Sequence, residues 1–464
     1  MGDITVVNAT QSVAAEPLTL QNTGCFVSHG GTTLTAGSIQ LLTAETDLAS
    51  ILTPAAALAS LSWSGGTVSA TTEAPLPFQI GDIVNLTIAG CTPSGYNGTF
   101  PCTITGASAF TYPLAGNPGS ETVLGTYVSV SVAEVTDMNA EWWAQGSTLA
   151  VYVLELGALG SVNAIAALAT YLEKYPNTEY EDGDVGYFYH YCVPPEWSSQ
   201  STYVTLVEEY EATNDMTYFD TTMTTGNYTS FAGVKSVIGE VQAPAAPATE
   251  FSVVATMFNV LNRNPSATNK ATQFCYNFQF DVTVYPKAGN STILAELKAA
   301  GVNIVKSAAE GGISNAMLAY GTTMDVNAID YWYSIDWLIL QSDLALTNAV
   351  INGSNDPLAP LYYDQAGINT LQSVEEGVCA TGVSYGLLLG NPILVETDPT
   401  TFANNVTNGV YAGNIAINAV PFTTYVLLNP SNYQARKYGG LQVAFSPQLG
   451  FEQVIINLNA VQFP

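Results

Sequence analysis

The sequence predicts a multidomain α+β protein: an α/β core, a small inserted all-β domain of the sandwich or barrel type, and extended strand arms at both termini. Three patterns support this fold class, namely strand–helix alternation in mid-chain, closely spaced short strands near the front, and strand-like ends. A chain of 464 residues is too long for one ordinary core. With 47% hydrophobic and 10% charged residues, it is apolar enough to fold.

Alternating strands and helices define the first part of the core. Residues 149–156 predict a buried strand, and Ser161 begins a helix that runs to Lys174 with apolar residues at helical spacing. A further strand, helix and strand are predicted at 187–193, 202–212 and 216–219. This order indicates an α/β layer with right-handed crossovers.

A segment rich in Pro and Ala at 242–250 predicts a linker or exposed loop that could divide the core into two subdomains. The elements predicted beyond it are a helix at 251–260, a strand at 274–284, and helices at 292–306, 324–349 and 368–380. The predicted core therefore comprises residues 21–60 and 129–445.

Residues 61–128 predict the inserted β-module. The run Ile80–Ile88 alternates apolar and polar residues, and Asn97-Gly98 is typical of a hairpin turn because both residue types tolerate a positive φ. Cys91 and Cys102 are close enough in sequence to face each other across a hairpin, although a chain made in the cytoplasm favours reduced thiols.

Both ends of the chain predict strands without an obvious hairpin partner. The N-terminal arm, residues 1–20, is β-prone, and the C-terminal arm, residues 446–464, alternates clearly. Because a terminal strand must pair or fray, these arms favour strand exchange between subunits by β-augmentation. The residues that share the pairing faces are Ile4, Val6, Val454, Ile456, Leu458 and Ala460.

Charge and composition exclude several classes of function. A net charge of −29 with nine Lys and Arg argues against nucleic acid and anionic membranes as partners. No stretch is long and apolar enough for membrane insertion, and the segment Met1–Ile4 shows no secretory signal. A surface made of Thr, Asn, Ser, Gly and Tyr suits a protein that is largely buried against copies of itself, although surface-layer proteins can share this composition.

The motifs that could indicate chemistry are weak. Gly382–Gly386 matches GxSxG, but the only histidines, His29 and His190, precede Ser384, whereas a hydrolase of that fold places its His after the Ser. The cysteines and histidines show no metal-ligand spacing. Asp330 and Asp336 flank aromatic residues on a predicted helix, where packing explains them better than a glycosidase pair. We therefore expect no catalytic residue, metal or cofactor.

Two sets of motifs resemble known phage tail proteins. The β-module resembles one that recurs in phage tail proteins, and residues 129–464 resemble the sheath-like subfamily of myovirus-type bacteriophages, whose members form contractile tail sheaths. The motifs of the module are Trp63–Gly66, Gly81–Val84, Gly95–Phe100 and Phe110–Tyr112. The matching stretches of the second region include Glu250–Val254, Asn264–Lys270, Glu310–Ser314, Ala349–Asn355 and Pro360–Ile368.

The resemblance implies a structural subunit that forms hexameric rings stacked around a tail tube. Such a subunit would be assembled in the cytoplasm of the bacterial host and would reside in the virion. Its partners would be copies of itself, the tail tube protein, and the baseplate and tail terminator proteins. The alternatives are another tail or baseplate protein, or a surface-layer protein.

The cations are confined to the later part of the chain, and none precedes Lys174. Exposed ion pairs of under about 1 kcal/mol each would give a sheath a weak grip on its tube. Lys298 and Lys306 are the candidate tube contacts, followed by Lys287. The alternative is that all three are solvated helix charges.

Overall fold

The computed structural model describes residues 20–146, 149–174, 187–213, 216–307 and 315–452. The strands are β1 (Gly24–Ser28), β2 (Ser38–Leu42), β3 (Ala56–Ser64), β4 (Thr67–Thr72), β5 (Ile83–Ala89), β6 (Gly98–Gly106), β7 (Ala109–Pro113), β8 (Thr126–Ser129), β9 (Val151–Glu155), β10 (His190–Cys192), β11 (Tyr218–Met223), β12 (Val237–Val241), β13 (Ile304–Ser307), β14 (Ala316–Ala319), β15 (Leu388–Leu389), β16 (Asn391–Val395), β17 (Asn414–Ala419), β18 (Leu441–Ala444) and β19 (Ser446–Pro447). The helices are α1 (Val130–Ala144), α2 (Ser161–Lys174), α3 (Ser201–Thr213), α4 (Ser252–Leu261), α5 (Ser291–Ala299), α6 (Ile329–Asn355), α7 (Gln365–Tyr385), α8 (Pro399–Thr407), α9 (Phe422–Leu428) and α10 (Pro430–Gln434).

A six-stranded sheet in the order β12-β11-β10-β1-β9-β2 forms the centre of the core. Its pairs are parallel except for the antiparallel pair of β2 with β9. Every residue of β1, β10, β11 and β12 is buried, as expected for parallel strands covered on both faces. Helices α1 and α4 cover one face and helices α2 and α3 the other, so the predicted α/β layer is present.

The segment 56–129 forms a closed six-stranded barrel in the order β3-β4-β7-β6-β5-β8. Its strands alternate buried and exposed residues, and closure removes the free edges that would invite aggregation. The predicted β-module at 61–128 falls within these strands. Strands β5 and β6 pair as predicted, but their connection is longer than a two-residue turn: Ser94–Tyr96 form a 3₁₀ turn, and Asn97 keeps a negative φ.

The long helices α6 and α7 pack on each other, and α7 also packs against the sheet β16-β17-β18. Central β17 is almost fully buried, whereas β16 and β18 form half-buried edges. The predicted helices at 251–260, 324–349 and 368–380 correspond to α4, α6 and α7. No helix among the described residues could cross a membrane, given its length and hydropathy.

Two predicted elements after residue 270 are wrong. The strand expected at 274–284 is irregular chain with one isolated bridge, because Tyr276 and Asp281 adopt positive φ angles of 70° and 57°. The helix expected at 292–306 ends at Ala299, because Gly301 adopts a φ of 74° and turns the chain into β13. Lys306 therefore lies on a strand.

Candidate assembly site at the C-terminal segment

The last described residues, 446–452, lie along the surface of the body. Strand β19 pairs with β15, and the backbone N–H of Gln448 donates to the carbonyl of Leu387 at 2.8 Å. Gly450 packs so closely on the side chain of Gln273 that a Cβ atom there would clash with it. The segment is thus held at each step up to residue 452.

Glu452 is fixed by both its side chain and its main chain. Its carboxylate forms an ion pair with the Lys298 ammonium at the C-terminal end of α5. The hydroxyl of Tyr276 donates to the main-chain carbonyl of Glu452 at 2.7 Å. Since the ion pair is nearly half exposed, it contributes less than about 1 kcal/mol, and the hydrogen bond adds a further fixed contact.

Two lysines of this site lie close to tyrosine rings. The Lys298 ammonium lies 5.4 Å from the ring centre of Tyr320, and the Lys306 ammonium lies 5.8 Å from that of Tyr276. Burial raises the pKa of Tyr320, while the positive charge of Lys298 opposes that shift. Lys298, Lys306, Tyr276, Tyr320 and Glu452 are called the C-terminal contact cluster below.

The three lysines predicted to contact the tube lie in two different places. Lys298 and Lys306 come together in the C-terminal contact cluster, whereas Lys287 is exposed in the loop before α5. The predicted strand-exchange residues all lie outside the described residues; they are Ile4, Val6, Val454, Ile456, Leu458 and Ala460.

Sequence reasoning missed Glu452 and the two tyrosines. Glu452 had one available signal, since it is the sole acidic residue after Asp398. Tyr276 and Tyr320 gave no signal, because both adopt positive φ angles that are unusual for an aromatic residue. Their placement depends on the turns around β13 and β14.

Exposed apolar side chains are concentrated in the last third of the chain. Of the 24 large apolar side chains that are exposed in the described part, sixteen lie between Val326 and Phe451. Leu358 is 94% exposed, Leu427 81% and Phe451 80%. Exposed apolar surface of this kind is a candidate region for contact with another protein.

The weak catalytic motifs prove to be structural. Ser384 lies in the last turn of α7, where its hydroxyl donates to the carbonyl of Thr381 at 2.9 Å, and Gly386 ends the helix with a φ of 77°. A nucleophile elbow instead joins a strand to a helix. Asp336 accepts hydrogen bonds from the hydroxyls of Tyr189 and Tyr218, both at 2.8 Å.

Asp330 serves a different contact on the same helix. Its carboxylate accepts from the backbone N–H of Phe274 at 3.1 Å and lies 3.9 Å from the Arg263 guanidinium. Burial raises the pKa of Asp330 to about 6, although Arg263 opposes the shift. Asp330 and Asp336 therefore join α6 to separate neighbours, as the packing interpretation predicts.

Structural comparison identifies proteins with a similar architecture. A chain of the anti-feeding prophage (AFP) baseplate superposes with a TM-score of 0.50 at 12% identity, over 99% of both chains. A chain of the AFP helical sheath in the contracted state has a TM-score of 0.47 at 11% identity, over 100% of both chains. The sheath tail protein of Listeria innocua follows with a TM-score of 0.40 at 10% identity, covering 79% of this chain and 86% of that one. By sequence, no protein-family model and no curated protein matches.

The fold of this protein is therefore that of a chain in the AFP baseplate, along essentially its whole length. It is a mixed helix and sheet fold with a small closed barrel. At 12% identity the similarity defines the architecture, and the role must be argued from this chain's own surface.

Proposed function

We propose that this protein is the structural subunit of a contractile tail sheath. The observation that carries the proposal is the architecture shared over 99% of the chain with a chain of the AFP baseplate. The concentration of exposed apolar residues between 326 and 451 supports it, because such a surface is suited to burial against other subunits. The subunit would form hexameric rings, stacked around a tail tube within the virion.

The terminal arms provide the proposed links between subunits. Residues 446–452, the first part of the predicted C-terminal arm, are held on the body by the contacts described above, and residues 453–464 follow directly on Glu452 in sequence. Strand exchange through Val454, Ile456, Leu458 and Ala460, and through Ile4 and Val6 at the other end, would join subunits by main-chain hydrogen bonds. Among the described residues, no strand pairs with the outer side of the half-buried edge strand β18, which makes it a candidate acceptor for such pairing.

Contraction would then be a rigid-body change between two packing arrangements. The arms keep neighbouring subunits joined while the bodies rotate, and new apolar contacts in the contracted state supply the free energy. The contacts at Glu452 let a rotation of the body move the arm directly. In this scheme the sheath forms no covalent bond with the tube, and contraction needs no nucleotide.

Electron microscopy of the purified full-length protein tests the proposal. Wild-type protein should form hollow striated cylinders, and a chain truncated after Glu452 should remain folded and monomeric. Normal cylinders from the truncated chain would refute strand exchange. Failure of the wild-type chain to assemble, alone or with its tube protein, would refute the sheath proposal itself.

Contact with the tail tube is proposed for Lys287, Lys298 and Lys306. Since Lys298 already pairs with Glu452, a charge change there acts on the arm as well as on any tube contact. Comparison of Lys298→Ala with Glu452→Gln separates the two effects. If only the lysine variant weakens co-assembly with the tube, Lys298 contacts the tube; equal effects assign the defect to the arm. Lys287→Glu should weaken co-assembly without affecting the arm.

A baseplate-associated ring subunit is the second candidate, because the similarity at a TM-score of 0.50 is to a baseplate chain. Such a subunit would form single rings and stop. The length distribution of the assembled particles therefore discriminates between the two proposals. Baseplate and tail terminator proteins would be partners in either case.

A further inference from the structure

Three ionisable side chains from distant parts of the sequence converge beside the barrel. His29 follows β1, Glu134 lies in the second turn of α1, and Glu196 lies in the 3₁₀ turn Pro195–Ser199 after β10. One ligand atom from each of these residues lies within 4.8 Å of the other two. The sequence predicts no metal site here, since spacing rules detect only ligands that are close along the chain.

The orientation of His29 favours a cation at this point. Its Nδ1 lies 2.8 Å from the carbonyl oxygen of Leu159, which can only accept, so Nδ1 carries a proton. Its Nε2 lies 3.1 Å from Glu196 Oε1 and points into the cluster. A histidine that donates one ring nitrogen to a backbone carbonyl and presents the other to a metal is the usual arrangement at metal centres.

Glu134 supplies an independent indication. Its Oε2 atom is buried and accepts from no donor group among the described residues, and its carboxyl lies within hydrogen-bonding reach of that of Glu196, so a proton or a cation must stand between the two. A buried carboxylate oxygen without a partner is costly, and it requires a proton, a water or a cation. Within the described part of the chain, neither Glu134 nor Glu196 forms an ion pair with a lysine or arginine.

A cavity next to Glu196 gives room for water. Its volume is about 430 Å³, and Glu196 forms part of its wall together with Asp82, Asn85, Ser161 and Gln200. A transition-metal ion held by three protein ligands keeps an open position for water.

The neighbouring Glu155 is not a ligand, because its oxygens are already satisfied. They accept from the hydroxyls of Ser28 and Thr32 and from the backbone N–H groups of Gly30, Thr32 and Gly157, at 2.7–3.0 Å. These bonds shape the loop that contains His29. Glu155 therefore positions His29 without entering the cluster.

We propose that His29, Glu134 and Glu196 bind one divalent transition-metal ion of the zinc class. Imidazole and carboxylate ligands suit zinc, and water from the cavity would complete a tetrahedral site. The ion would join the loop after β1, the start of α1 and the turn after β10. Since α1 follows the last barrel strand β8 directly, the site fixes the point at which the barrel leaves the core.

Metal titration of the full-length chain tests the site. Metal-free protein should bind one Zn²⁺ per chain by calorimetry, with a melting temperature that rises as free Zn²⁺ increases. Co²⁺ should give visible absorption bands from the same site. His29→Ala and the isosteric Glu134→Gln should abolish stoichiometric binding and the Co²⁺ bands while keeping the wild-type far-ultraviolet circular dichroism.

Glu208→Gln, an exposed change on α3, is the matched control and should bind as the wild type does. Absence of saturable Zn²⁺ binding would mean that a proton alone occupies the cluster, and the proposal would fail. Equal binding by wild type and His29→Ala would place the ion elsewhere and would also overturn it.

Discussion

Replacement of Asp336 by alanine should loosen the joint between the central sheet and helix α6. Asp336 is fully buried and accepts from two phenols, Tyr189 just before β10 and Tyr218 on β11, each at 2.8 Å. These bonds link residues that are 147 and 118 positions apart. Asp336 thus connects the α/β layer to helix α6, which lies in the part of the chain where most of the exposed apolar side chains occur.

The size of the effect follows from the two donors that lose their acceptor. Each buried hydroxyl left without a partner costs about 1–3 kcal/mol. Removal of a buried carboxylate also relieves its own desolvation cost, which offsets part of the loss. We therefore expect Asp336→Ala to lower the free energy of unfolding by about 2–4 kcal/mol.

Urea denaturation measured by tryptophan fluorescence provides the assay. Asp343→Ala, an exposed change on the same helix, controls for the loss of one charge and for helix propensity. Tyr189→Phe and Tyr218→Phe should each cost about 1 kcal/mol, since each removes a single hydrogen bond. If Asp336→Ala costs no more than Asp343→Ala, the two phenols do not depend on this carboxylate and the reasoning is wrong.

Further predictions concern pH, the C-terminal segment and salt. Burial, with the charges of nearby carboxylates, raises the pKa of Glu141 to about 9. Since the folded state then keeps a proton that the unfolded chain releases, the free energy of unfolding should fall by up to about 1.4 kcal/mol per pH unit between about pH 5 and 9. Glu141→Gln should flatten that slope in denaturation curves. Lys298→Ala and Glu452→Gln should each speed amide hydrogen exchange across 446–452 while changing the melting temperature little, because their ion pair is half exposed; unchanged exchange would contradict the assigned contact. Assembly should strengthen as NaCl rises, since salt screens the repulsion of a net charge of −29 but leaves apolar contacts intact; loss of polymer at high salt in light scattering would show that ion pairs hold the subunits together.

The sequence predicts best where one periodic pattern spans a whole element. The barrel strands and the alternation around the central sheet are such cases, because each strand or helix keeps its own period. The pattern misleads at 274–284, where β-branched and aromatic residues suggest a strand. There the positive φ angles of Tyr276 and Asp281 come from tertiary contacts that no local propensity encodes.

The candidate sites also could be predicted only where the signal is local in the sequence. Lys298 and Lys306 could be selected by charge alone, but the partner of Lys298 lies 154 residues further along the chain. His29, Glu134 and Glu196 meet only because parallel strands β1 and β10 end at one edge of the sheet, to which the chain returns from the barrel at α1. Sequence spacing contains no trace of that convergence.

The arrangement of cations bears on the proposed contact with a tail tube. Several of them face partners within the chain: Lys235 lies 4.5 Å from the ring centre of Trp332, Arg263 lies over Phe274 beside Asp330, Lys298 pairs with Glu452, and Lys306 lies near Tyr276. A cation held by an aromatic ring or a carboxylate must give up that contact before it can bind a new partner. Lys287, exposed in the loop before α5, would bind a tube at a smaller cost than Lys298 or Lys306. Charge reversal at Lys287 should therefore weaken tube binding more, relative to any change in stability, than reversal at either of the other two lysines.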